Sequence, residues 1–186
     1  MAYPGKDYTF SVTATNANMA NFIVLVDGKQ VTATSGAYTV KNVQGALKID
    51  IVHAYIEVSG NNKPAATYDN ATDTWTLTRA VLASYEGVRE HGSAYISKEY
   101  IEYMIGQGYK KVQFTMQPDG QYAMQACYKY NGKVYLATKT ADAVLVSLDL
   151  TVASELEFWG QNGSGSGSAI KETDCYIKVS GLVFSK

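Results

Sequence analysis

The chain has 186 residues, of which 46% are hydrophobic and 18% charged, and its 16 basic and 17 acidic residues leave a formal net charge of −1. This length predicts one large or two small domains with hydrophobic cores, and the charge balance excludes both a basic polyanion-binding surface and an acidic disordered tail. No apolar run approaches the ~20 residues that span a bilayer, so a membrane is not an expected partner. The balance of basic and acidic residues likewise argues against nucleic acid as a partner.

The first 58 residues predict a small antiparallel β unit. Short stretches rich in β-branched and aromatic residues alternate with Asn, Asp and Gly at intervals of about ten residues. Asp27-Gly28 separates the strand-like runs Phe22–Val26 and Lys29–Val31. This dipeptide favours a type I′ hairpin turn, because both of its central positions need positive φ.

A second and larger β-sandwich is predicted after a linker. Residues 59–73 are polar and turn-forming, which is typical of a linker, and strand-like alternation then continues over residues 74–186. Val112, Phe114 and Met116 alternate with polar residues, so one face of that strand is expected to be buried.

One helix interrupts these strands. Ser97 can serve as its N-cap, Ile96 and Ile101 fit a hydrophobic staple around that cap, and Gly106 ends the apolar stripe. The spacing predicts a helix of two to three turns.

Two glycine-bearing segments mark connections in the second unit. Asn131-Gly132 predicts a hairpin between Tyr122–Tyr130 and Lys133–Thr138. Residues 163–168 alternate strictly between Gly and Ser, which predicts a flexible loop or an inserted linker.

The sequence offers little catalytic or metal-binding chemistry. His53 and His91 are the only histidines and do not form a pair that could hold one metal ion. Cys127 and Cys175 fit either one disulfide or two buried thiols, and the second interpretation is favoured.

Glu155 and Glu157 have the period-2 spacing of one strand face, which superficially suggests the paired acids of a glycosidase. Acidic pairs on solvated strands are common, however, and nucleotide-binding and nucleophile-elbow motifs are absent from the sequence. We therefore expect a protein that is not an enzyme.

Two stretches of the sequence carry a family resemblance. Leu156–Gln161 (LEFWGQ) and Cys175–Ser185 (CYIKVSGLVFS) resemble the closing strands of jelly-roll carbohydrate-binding modules attached to bacterial polysaccharide-degrading enzymes, and the likeness covers about residues 74–186. Asp7–Val12, Val26–Lys29 and Tyr38–Val43 look like the short immunoglobulin-like modules of bacterial surface proteins.

The resemblance refines the expected architecture. It implies an all-β chain in which an immunoglobulin-like antiparallel sandwich (residues 1–58) is joined by the linker 59–73 to a jelly-roll-like β-sandwich with one short helix (residues 74–186). It also implies a secreted or cell-surface location within a larger multi-domain protein. A structural calcium is compatible with the resemblance, although no Asp-rich loop marks its site.

Aromatic and amide side chains are the candidate binding groups. The chain has 15 tyrosines beside only 2 tryptophans, and nine of the tyrosines lie between Tyr85 and Tyr135. Tyrosine offers a flat apolar face to a sugar ring and a hydroxyl to its polar edge. Alternation places Trp159 opposite the inward face of its strand, where it either stacks on a sugar or packs under a loop or the first domain. The candidate ligand-binding residues are Trp159, Tyr135, Tyr130, Tyr128, Gln113, Gln125, Gln161 and Asn162.

The expected function is therefore non-catalytic binding of a glycan or polysaccharide by aromatic stacking and amide hydrogen bonds. The alternative is a structural or adhesive extracellular module that binds a protein partner. Residues 85–92 form a second candidate surface, although a mobile polar loop is the safer interpretation.

Overall fold

A computed structural model describes residues 4–13, 22–53, 55–58, 66–69, 71–78, 93–120, 124–162 and 175–186. The candidate surface at 85–92 and the Gly/Ser segment at 163–168 lie outside these residues. The described chain is all-β apart from one helix, as predicted. It divides into two compact units, Met1–Tyr55 and Ile56–Lys186.

The first unit contains two small antiparallel sheets. One pairs β1 with β4, and the other has the strand order β3-β2-β5. Asp27 and Gly28 have φ values of 50° and 76°, which confirms the predicted type I′ turn between β2 and β3. The strands of this unit are β1 (Lys6–Phe10), β2 (Phe22–Val26), β3 (Lys29–Val31), β4 (Tyr38–Val43) and β5 (Ile49–His53).

The second unit consists of two five-stranded sheets. Sheet I has the order β13-β10-β15-β8-β7, and sheet II has the order β12-β11-β14-β9-β6. The strands of this unit are β6 (Tyr55–Val58), β7 (Ala66–Asp69), β8 (Thr74–Thr78), β9 (Ser93–Ile96), β10 (Lys111–Gly120), β11 (Met124–Tyr130), β12 (Lys133–Thr138), β13 (Val144–Asp149), β14 (Leu156–Asn162) and β15 (Cys175–Ser185).

Strand β7 lies inside the segment 59–73 that the sequence assigns to a linker. It pairs with β8, and the Tyr68 ring lies 4.7 Å from the Trp75 ring between centroids. The Tyr68 hydroxyl also donates a 2.6 Å hydrogen bond to Asp73. This one tyrosine gives a short polar segment enough packing to form a strand.

The eight strands from β8 to β15 are connected as a jelly roll. Each early strand pairs with a late one: β11 with β12, β10 with β13, β9 with β14, and β8 with β15. The chain is thus one long antiparallel ribbon in which every outer pair encloses the inner pairs. Successive rungs of this ribbon belong alternately to sheet II and sheet I, which is how a jelly roll is rolled up.

The core of the second unit lies between the two sheets. Val112, Phe114 and Met116 of β10 are fully buried, which confirms the predicted inward face of this strand. The Phe114 ring meets the Phe158 ring of sheet II edge-on, with centroids 4.9 Å apart. Burying one such side chain stabilises the fold by about 1.5–3 kcal/mol. Trp75 belongs to the same buried set.

The helix α1 (Lys98–Gly106) connects sheet II to sheet I between β9 and β10. Its N-cap is the predicted Ser97, whose hydroxyl accepts a 3.2 Å hydrogen bond from the Tyr100 backbone N–H. Ile96 and Ile101, the predicted staple residues, are both fully buried.

A β-bulge lies within the long strand β15. Its partner β10 advances two residues, from Gln113 to Thr115, while β15 passes from Val183 to Ser180. Gly181 has a φ of 63°, which a side-chain-bearing residue adopts only at a cost. Gly181 therefore occupies the bulge, and β15 stays paired with β10 on both sides of it.

Candidate functional site

The six predicted site residues whose side chains the structure describes lie on three different surfaces of the second unit. Tyr128, Tyr130 and Tyr135 are on the inner face of sheet II, because their strands place them beside the buried Phe158 and Leu156. Of the other five predicted residues, three lie on outer faces and two have side chains outside the described set. The structure therefore assembles part of the predicted set and separates the rest.

Trp159 lies on the outer face of sheet II, as strand alternation predicts, but it is only 7% exposed. Its cross-strand neighbour Cys127 is 1% exposed. Other parts of the chain therefore cover this region of the outer face. Of the two alternatives for Trp159, its burial favours packing within the protein over stacking on a sugar. Alternation reports which face a residue occupies, whereas cover by non-neighbouring segments depends on the tertiary fold.

Tyr130 has a structural role. It is 3% exposed, and its hydroxyl donates a 2.6 Å hydrogen bond to the Val152 carbonyl oxygen. The same hydroxyl accepts a 3.2 Å hydrogen bond from the Val152 backbone N–H. Both polar capacities of the hydroxyl are therefore used within the protein, and Tyr130 is removed from the candidate binding residues.

Tyr128 and Tyr135 form the aromatic feature that remains. Their rings are stacked, with centroids 4.8 Å apart and planes inclined by 8°. Phe114 of sheet I meets Tyr128 edge-on at 5.5 Å, so the pair rests on the core. Both tyrosines are half-buried. We call this pair the tyrosine stack.

Lys133 borders the tyrosine stack. Its Nζ lies 5.1 Å from the centroid of the Tyr135 ring, within the range of a cation–π interaction. Burial raises the pKa of the Tyr128 hydroxyl above its ordinary value, and Tyr135 raises it further. The Tyr128 hydroxyl therefore remains a hydrogen-bond donor at neutral pH.

Sequence reasoning missed Lys133, although the signal was present. A two-residue turn at Asn131-Gly132 places Tyr130 opposite Lys133 in the hairpin. Two positions further from the turn on each strand, Tyr128 lies opposite Tyr135. Residues i and i+2 share a strand face, which brings Lys133 beside Tyr135.

Two of the predicted amide groups, Gln113 and Gln125, lie away from the tyrosine stack. Gln113 is half-buried on the outer face of sheet I, between Ser147 of β13 and Val183 of β15. Gln125 lies on the outer face of sheet II that carries Trp159, and its strand position pairs with Gln161. Asn162 pairs with Met124, and the side chains of Gln161 and Asn162 lie outside the described set.

The acidic pair of the sequence lies at the start of β14. Partial burial raises the pKa of Glu155, the negative charge of Glu157 raises it further, and Lys129 opposes the shift. Within the described residues, no three His, Cys, Asp or Glu side chains come together in an arrangement that could hold a metal ion. Cys127 is buried, whereas the side chain of Cys175 is not described, so their pairing stays open.

No protein-family model matches this chain, and no curated protein sequence matches it. The resemblance to carbohydrate-binding and immunoglobulin-like modules therefore stays a prediction. In the part of the chain that the structure describes, α1 is the one helix, and it lacks the length and hydrophobicity to cross a membrane.

Proposed function

We propose that the second unit is a non-catalytic module that binds an uncharged polysaccharide at the tyrosine stack. The observation that carries this proposal is the parallel Tyr128–Tyr135 pair, half-buried and supported from below by Phe114. Aromatic rings held in place before binding lose little conformational entropy when a sugar ring packs against them.

Polar groups next to the rings support the same ligand class. The Tyr128 hydroxyl is a donor at neutral pH, and the ammonium of Lys133 adds donors beside Tyr135. Lys133 is exposed, so its long side chain can reorient to reach a sugar hydroxyl. The formal charge of −1 over the whole chain is compatible with a neutral ligand.

The proposal assigns binding and no bond cleavage to this site. Glu157 occupies the outer face of sheet II, whereas the tyrosine stack occupies the inner face. A carboxylate pair that includes Glu157 would therefore stand on the other side of the sheet from a sugar held by the stack. We place such a module in an extracellular or cell-surface protein, where polysaccharides occur.

The test is affinity electrophoresis of the whole protein through gels that contain neutral plant and host glycans. We expect at least one glycan to retard the wild type, and Tyr135→Ala to weaken that binding about tenfold, or ~1.4 kcal/mol. Tyr135→Phe should keep most of the stacking. Tyr176→Ala is the matched control, because Tyr176 is also a half-buried tyrosine with a lysine over its ring but lies on sheet I.

Each outcome has a distinct meaning. If no glycan retards the wild type, polysaccharide binding is wrong. If Tyr135→Ala and Tyr176→Ala bind equally well, binding occurs elsewhere on the molecule. Release of reducing sugar that disappears in Glu157→Gln would contradict the non-catalytic assignment.

A further inference from the structure

The outer surface of β12 has an unusual combination of apolar exposure and edge position. Within the described strands, β12 has one hydrogen-bonded neighbour, β11. Val134 is 57% exposed and Leu136 43% exposed, and both lie on the face of β12 opposite to Tyr135. Sheet edges are commonly protected by charged or proline residues at such positions, whereas this edge presents two large aliphatic side chains in its middle.

The backbone N–H and C=O groups of Val134 and Leu136 are directed away from β11. Tyr130 and Lys133 flank a type I′ turn, with φ values of 50° at Asn131 and 71° at Gly132. The two residues that flank such a turn form a hydrogen-bonded pair, and the pattern alternates along an antiparallel ladder. The alternation therefore directs the N–H and C=O groups of Val134 and Leu136 away from β11.

The length of the usable edge is limited. Between Leu136 and Thr138, β12 contains one residue more than β11 opposite it, which places a β-bulge at Ala137. A bulge bends its strand and interrupts regular pairing. The regular edge is therefore Lys133–Leu136, long enough to pair with a short extended segment.

Exposed lysines flank the two ends of this edge, since Lys133 begins the strand and Lys139 follows its end. Lys129, the cross-strand partner of Val134, is exposed too, but Glu157 of β14 lies opposite it and offsets its charge. Asp142 is the one carboxylate in residues 124–143, and it accepts a 3.0 Å hydrogen bond from the Thr140 hydroxyl. Two copies of this chain paired through β12 would bring Lys133 and Lys139 of one copy near those of the other, which disfavours a second copy as the occupant.

We propose that β12 receives an extended, acid-flanked segment of a partner protein as an added strand. Backbone hydrogen bonds to Val134 and Leu136 provide the affinity. Their side chains and the flanking Lys133 and Lys139 select a segment with an apolar centre and carboxylates at its ends. This inference goes beyond polysaccharide binding and does not depend on it, since it uses the backbone edge and the outer face of β12, whereas the tyrosine stack uses the inner face; Lys133 borders both sites.

The experiment titrates the full chain into a fluorescein-labelled synthetic heptapeptide and follows fluorescence anisotropy. The peptide alternates valine and threonine and has glutamate at both ends; a second peptide has lysine at both ends. We expect saturable binding of the glutamate peptide and at least threefold weaker binding of the lysine peptide.

Two variants test the site. Val134→Pro removes the N–H that faces the open edge while leaving the β11–β12 ladder intact, and it should weaken binding at least tenfold. Val134→Thr keeps that N–H and the β-branched shape, so it should bind within about twofold of the wild type. Thermal unfolding of each variant establishes that the fold is retained.

A charge reversal keeps the proposal testable if Val134→Pro does not fold. The double change Lys133→Glu and Lys139→Glu should make the lysine peptide the tighter ligand. Equal binding of both peptides to the wild type, or an unchanged preference after the reversal, would overturn the proposal. A dimer in sedimentation equilibrium that Val134→Pro abolishes would also overturn it, because the occupant would then be a second copy.

Discussion

At the scale of single residues, the Tyr130 hydroxyl joins strand β11 to a backbone position 22 residues further along the chain. Tyr130→Phe removes both of its hydrogen bonds to Val152. We expect the free energy of unfolding to fall by about 1–2 kcal/mol, the lower part of the range for unpaired buried groups, because Val152 itself is partly exposed. Urea unfolding measures the change.

The control for this change is Tyr128→Phe. Tyr128 is half-buried on the same strand face, and the described contacts give its hydroxyl no hydrogen bond, so we expect a loss below about 0.5 kcal/mol. Equal losses at the two positions would mean that the Val152 hydrogen bonds contribute nothing measurable.

Glu155 gives a pH-dependent prediction. Its pKa is raised in the folded state, so the folded protein holds this proton more tightly than the unfolded chain does. The resulting stability is present at low pH and is lost as the pH rises through the folded pKa. Glu155→Gln should therefore stabilise the protein at pH 7, by at most about 0.5 kcal/mol because the group is largely exposed.

The advantage of Glu155→Gln should disappear near pH 4, where the wild-type carboxyl is protonated. Urea unfolding of both proteins at the two pH values measures this difference, with the exposed helical Glu102→Gln as a comparison. An advantage that stays constant from pH 7 to pH 4 would show that the change acts by packing and not by charge.

Trp159 and Tyr130 mark the limit of sequence reasoning at this scale. The period of the strand predicted the face of Trp159 correctly. It could not predict that the outer face at Trp159 is covered, nor that the Tyr130 hydroxyl meets Val152, because both depend on segments distant in sequence. The Tyr128–Tyr135 pair was within reach, since the adjacent turn fixes its register.

At the scale of elements, the Asn131-Gly132 turn supports a prediction with an internal comparison. Gly132 has a φ of 71° and open space around the position that a Cβ would take. Gly132→Ala should therefore cost about 1–2 kcal/mol for backbone strain alone. Gly106 has equally open surroundings within a helix and ordinary φ, so Gly106→Ala should be neutral or stabilise by up to about 1 kcal/mol.

Thermal or urea unfolding of the two variants provides the measurement. Destabilisation by both glycine replacements would point to lost space around the new methyl groups, and would contradict an origin in backbone conformation.

Elements defined by local chemistry were the ones that the sequence predicted well. Both type I′ hairpins follow from their dipeptides, and the helix follows from its cap and staple. Strand β7 was missed because one tyrosine supports it within a polar segment. The bulge in β15 was not predictable, because Ser180-Gly181 has the composition of a turn and only the pairing with β10 identifies it as a bulge.

At the scale of the whole molecule, the described strand pairings of β1 to β5 stay within the first unit, and those of β7 to β15 stay within the second. Alternation and turn spacing predicted a sandwich and two hairpins but could not predict how the other strands pair. The pairing follows the nested ribbon, in which β8, near the start of the second unit, pairs with β15 at its end. Pairing of this kind is decided by the simultaneous burial of both sheets.

The nested ribbon predicts an order of folding. Loop-closure entropy is smallest for the β11–β12 hairpin, and each outer pair becomes less costly to close once the pair inside it has formed. We therefore expect Gly132→Ala, in the innermost turn, to slow folding with little effect on the unfolding rate. Ile177→Val, in the outermost pair, should instead accelerate unfolding, since Ile177 is fully buried opposite Leu77.

Stopped-flow tryptophan fluorescence can separate the two effects, because both tryptophans of the chain belong to the second unit. Equal partitioning of the two changes between folding and unfolding rates would mean that the ribbon closes as a whole and not from its central turn outward.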